Sequence, residues 1–66
     1  MKVIDITSKM ENGAAHVLLF EEDTGQILLK TIWCNEIPQK YLNYEVKNIT
    51  VRDYEIRLGV IKNEIH

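Results

Sequence analysis

The sequence predicts a small all-β, sheet-dominated domain. Four or five strands would form an antiparallel meander or barrel-like sheet, with at most one short helix around residues 38–43. Three observations carry this. Val, Ile and Thr are frequent, turn signals are short and regularly spaced, and apolar residues alternate through much of the chain between them.

The first segment, KVIDITSKM, puts Ile4, Ile6 and Met10 on one side and Asp5, Thr7 and Lys9 on the other. That alternation predicts a half-buried strand. ENG follows, and Asn12–Gly13 readily takes the positive φ of a tight hairpin turn. AAHVLLFEE reads as a second strand, DTG as a turn at Thr24–Gly25, and QILLKTIWC as a third strand.

The second and third strands are apolar on both faces. Val17 and Leu19 oppose Leu18 and Phe20, and Ile27 and Leu29 oppose Leu28 and Ile32. Such strands need cover on both sides. A chain of 66 residues supplies one covering layer, hardly two. Either the sheet curls into a small barrel or another chain covers its second face.

The stretch IWCNEIPQKYLNYEV holds the only Trp, Cys and Pro. Pro38 lacks a ladder donor and disfavours helix at Ile37, so the third strand ends before it. PQKYLN then suits a turn or two of helix. Ile37, Tyr41 and Leu42 would share a face and seal the sheet, with Trp33 mostly buried. This stretch is first a corner and second a contact surface.

In YEVKNITVRDYEIRLGVI the apolar phase shifts twice. Tyr44 and Val46 are even, Ile49 and Val51 odd, and Tyr54, Ile56, Leu58 and Val60 even again. A strand must keep its phase or swap faces, so each shift implies a bulge or a turn. One bent strand and two separate strands fit equally well.

The chain is one small domain, and a chain this short buries only about 60% of its unfolded surface. Cys34 is alone, so no internal disulfide supports the core, and a lone thiol suits a reducing compartment. No Cys/His spacing suggests zinc. Self-association or a partner is the remaining support. The opening MKVIDITSKMENG lacks the apolar core of a signal peptide. The run VLLF is far too short to span a bilayer. A soluble, cytoplasmic protein with no membrane partner is expected.

The formal charge is −2, from ten Asp+Glu and eight Lys+Arg with interspersed signs. A nucleic-acid binder usually carries a basic stripe, and none is visible. Glu21, Glu22 and Asp23 lie in a row, but without the ligand spacing of a calcium loop, so they read as a solvated turn. Nothing in the spacing activates Cys34 toward His16. Gly13, Gly25 and Gly59 are isolated, not a phosphate-binding loop. The expectation is a non-enzyme without cofactor or metal.

The candidate partner-binding residues are Trp33, Tyr41 and Tyr44, with Lys40 and Lys47 nearby. Trp and Tyr bury much area while keeping a polar tip, which favours them in binding hot spots. The segments ITSK and IPQKYL each resemble pieces of the AbrB-type swapped-hairpin DNA-binding proteins. There the two pieces adjoin; here Lys9 and Ile37 are far apart and the joining Gly-Gln is missing, so the resemblance implies nothing further. The sequence therefore points to a non-catalytic, self-associating protein–protein interaction module. By analogy of size and charge, it would be a phage- or plasmid-type regulator or inhibitor of a host protein. The alternative is a small nucleic-acid-binding regulator with an OB- or SH3-like barrel, in which aromatics and flanking Lys would stack on bases.

Overall fold

The computed structural model describes residues 1–62; Asn63–His66, including the second histidine, lie outside the described part. A short helix α1 (Val3–Thr7) leads to the strands β1 (His16–Glu21) and β2 (Ile27–Thr31). A 3₁₀ turn (Cys34–Glu36) and a short helix α2 (Gln39–Leu42) carry the chain to β3 (Glu45–Arg52) and β4 (Glu55–Ile61). The sheet order is β2-β1-β4-β3. Each hairpin is antiparallel, and the two hairpins join through a parallel pairing of β1 with β4.

The domain is sheet-dominated, as its sequence predicts. The expected antiparallel meander is instead a mixed, open sheet with β2 and β3 at its edges. The first segment is a helix, so the described residues form two short α-helices rather than one. α2 lies where PQKYLN predicts it, with Pro38 just before its first turn.

The helical reading of the first segment has its own periodicity. Val3 and Thr7 are buried, and Ile6 and Met10 pack against the same core. That is spacing i, i+3, i+4, i+7, one face of a helix. The Asp5 carboxylate accepts the Lys2 backbone N–H at 2.8 Å, satisfying a donor at the helix start. The buried Thr7 hydroxyl donates to the Val3 carbonyl at 3.2 Å. Just before the helix, the chain clips onto β3. Val46 N–H donates to the Met1 carbonyl at 2.8 Å, and Val3 N–H to that of Tyr44 at 3.1 Å. All that forms in place of the expected first strand is a single bridge, Lys2–Glu45.

Both glycine turns take the positive φ expected of them: 79° at Gly13 and 76° at Gly25. Gly25 closes the β1–β2 hairpin. Gly13 joins a helix to a strand instead, and its N–H donates to the Ile32 carbonyl at 2.7 Å.

The two phase shifts of the last segment are a bulge between Val46 and Asn48 and a turn at Asp53–Tyr54. Asp53 and Tyr54 have φ of 45° and 62°, the signature of a type I′ hairpin turn made without glycine. The segment is two strands.

Val17 and Leu19 of β1 and Leu58 and Val60 of β4 are fully buried with Val3 beneath the helical layer. Each such side chain stabilises the fold by about 1.5–3 kcal/mol relative to exposure. On the opposite face, Leu18 is only 4% exposed although, among the described elements, neither α1 nor α2 lies on that side. Its register partners are Lys30 on β2 and Arg57 on β4. Both cations reach Glu55, with Lys30 Nζ at 3.3 Å and Arg57 Nε at 3.2 Å. The Arg57 contact is an ion pair without hydrogen-bond geometry. The long stems on either side shield Leu18, while the Lys30 and Arg57 side chains stay about half exposed and the Arg57 Nε itself is buried.

Candidate functional site

Three of the five expected binding residues come together. Lys40 Nζ stands 5.0 Å from the centre of the Tyr41 ring, a cation–π arrangement. Tyr41 meets Tyr44 edge to face, with ring centroids 5.3 Å apart at 85°. Both tyrosines are half-buried against the core. Trp33 stands apart from this pair, since no ring contact among the described residues joins it to either tyrosine. It is 46% exposed rather than mostly buried. β2 ends at Thr31, whose hydroxyl accepts the Trp33 backbone N–H at 3.0 Å, and the indole ring lies past the sheet against Gly13. Lys47 is exposed on β3 at the bulge.

The sheet presents a second surface that sequence reasoning missed. Ile49 is 49% exposed, Val51 70% and Tyr54 84%, all at the far end of the β3–β4 hairpin. Ile49 pairs with buried Leu58, and Val51 with Ile56. Paired residues share a face, so Ile49 and Val51 continue the core side of the sheet beyond its helical cover. The available signal was the second phase shift: it puts Ile49 and Val51 just before a tight turn, at the end of a hairpin.

The backbone of this strand is also available. A two-residue turn makes its flanking residues, Arg52 and Glu55, a hydrogen-bonded pair, and the pattern then alternates along the ladder. Arg52, Thr50 and Asn48 therefore turn their peptide groups toward β4. Ile49 and Val51 turn theirs outward from the sheet. Among the described residues, the outer edge is occupied only at Tyr44–Val46, by Met1–Val3. Natural edge strands are usually short, charged or covered. Beyond Val46, Lys47 at the bulge and Arg52 put a charge at either end, but Ile49, Thr50 and Val51 between them are exposed β-branched residues.

The described surface also carries two concavities. A groove of about 310 Å³ between α1 and the 3₁₀ turn is lined by Ile4, Thr7, Met10, Cys34 and Leu42 among others. A depression of about 270 Å³ on the uncovered sheet face is lined by Leu18, Phe20, Gly25, Ile27 and Arg57. Among the described residues, no group of three His, Cys, Asp or Glu is placed to hold a metal ion, and no helix is long and apolar enough to cross a membrane. No family model, curated protein or solved structure matches the chain.

Proposed function

We propose that the protein is a non-catalytic, cytoplasmic protein-binding module, a small regulator or inhibitor of the phage or plasmid type that docks through the β3 edge. One observation carries this reading. Outward-turned peptide groups and exposed apolar side chains coincide at Ile49 and Val51. Strand addition to such an edge takes affinity from main-chain hydrogen bonds and selectivity from the side chains beside them. Tyr54 at the tip and the Lys40–Tyr41–Tyr44 cluster would add contacts around the edge.

The test is capture from the native host with wild-type and Val51→Lys protein as paired baits. Prey retained by the wild type and lost with Val51→Lys support the reading. An identical set on both baits overturns it. Titration with single-stranded and duplex oligonucleotides at two salt concentrations addresses nucleic acid. Tight binding with a steep salt dependence would replace this proposal.

A further inference from the structure

We propose that the β3 edge pairs with β3 of a second copy of this chain, antiparallel about a two-fold axis through Thr50, so that two sheets become one. This rests on the reading of β3 as a docking edge and names its occupant. A two-fold interface brings the same patch together from both chains, so the strand must complement itself read backwards.

Only a few registers satisfy the backbone. Facing residues must both turn their peptide groups toward the partner strand or both away from it. With Ile49 and Val51 outward, the axis falls at Ile49, Thr50 or Val51. Centring on Ile49 brings the other copy's Arg52 and turn against Val46 and Glu45, where Met1–Val3 already lies. Centring on Val51 sets Ile49 against the other copy's Asp53, an apolar side chain against a carboxylate. The Thr50 centre avoids both.

In that register Ile49 lies opposite the other copy's Val51 on the core side, once on each side of the axis. Cross-strand pairs of β-branched residues are favourable, and these would cover the side chains that the helices leave open. Thr50 meets Thr50 on the opposite face, and Asn48 meets Arg52. Lys47 at the bulge and the other copy's Asp53, just past β3 in the turn, come to the same end of the pairing, so opposite charges are brought near each other twice. The two hydrogen-bonded pairs supply about four backbone bonds. The free edge ends where the partner's turn would arrive.

The experiment uses the full chain in sedimentation velocity from micromolar to millimolar concentration, together with cross-linking of an introduced cysteine under a mild oxidant, beside the native, buried Cys34. The expected result is a concentration-dependent dimer. Val51→Lys should raise its dissociation constant by about tenfold or more, because the change is felt twice across the axis. Lys47→Glu should also weaken it, and adding Asp53→Asn to that variant should restore part of the loss. Thr50 faces its own copy in a non-hydrogen-bonded pair, at a Cα separation of about 4.5 Å that a disulfide spans. Thr50→Cys should therefore cross-link through position 50 by peptide mapping, and Arg52→Cys should not. A folded chain that stays monomeric throughout, or a dimer indifferent to both Val51→Lys and Lys47→Glu, overturns the proposal. If it is monomeric yet still captures Val51-dependent prey, self-pairing alone fails and the protein-binding reading stands.

Discussion

The Phe20 ring lies over Gly59, its register partner across the parallel β1–β4 pairing. A Cβ on Gly59 would come within 2.9 Å of Phe20 Cζ and 3.1 Å of Asn48 Cβ, and would also meet the Glu22 carboxylate. The missing side chain gives the ring its place in a central strand, where glycine otherwise weakens packing. Gly59→Ala should cost about 1–3 kcal/mol by overpacking. Urea denaturation checks this, and an unchanged midpoint would contradict the contact.

Leu19→Ala and Leu58→Ala remove fully buried side chains that are partners across the same pairing. Each should cost about 2–5 kcal/mol. Small domains often have only about 5–15 kcal/mol in total, so either variant should show a much lower thermal midpoint. Circular dichroism melts measure it.

Trp33 and Gly13 form a smaller contact outside the sheet. A Cβ at Gly13 would lie 3.3 Å from the indole ring, at a φ of 79° that a β-branched residue resists. Gly13→Val should destabilise the fold and change the emission of the single tryptophan. Trp33→Ala should remain folded, losing less than the about 3–5 kcal/mol of a fully packed Trp. An unfolded Trp33→Ala protein would show that the ring contributes more than its exposure implies.

Tyr54 holds a left-handed conformation at the hairpin tip while 84% exposed. Such a conformation costs a non-glycine residue about 1–2 kcal/mol. Tyr54→Gly should therefore raise the melting temperature, and partner capture should fall if the ring contacts the partner. A drop in melting temperature would contradict the strain argument.

Much of the sheet could be read from local signals. Gly25 after Thr24 gave the first hairpin, and the phase changes at Val46–Ile49 and Val51–Tyr54 marked the bulge and the second turn. Pro38 placed α2. The first segment was misread because its Ile4 and Ile6 alternate like a strand, while the deciding residue, Thr7, is polar by type yet buried. Its hydroxyl finds the Val3 carbonyl, which only the helix places within reach. The parallel pairing of β1 with β4 has no local signal at all, since it joins distant parts of the chain. At the candidate site, residue types drew notice to Trp33 and Lys47, but their positions depend on where β2 stops and where β3 bulges. The β3 edge was hidden for the opposite reason. Its residues are ordinary strand formers; the phase shift places them beside a turn, but only the sheet order reveals that β3, like β2, has a free side.

The parallel pairing at the centre of the sheet also favours one order of events in folding. Each hairpin closes through a short turn and can form early from neighbouring residues. The bond between hairpins must bring His16–Glu21 against Glu55–Ile61 across most of the chain. Such long loops are costly to close and slow the search for the native state. Until that docking is complete, both faces of β1 and β4 stay open to water and to other chains. The join that gives the finished domain its core is thus the step at which a freshly made chain is most exposed to mispairing.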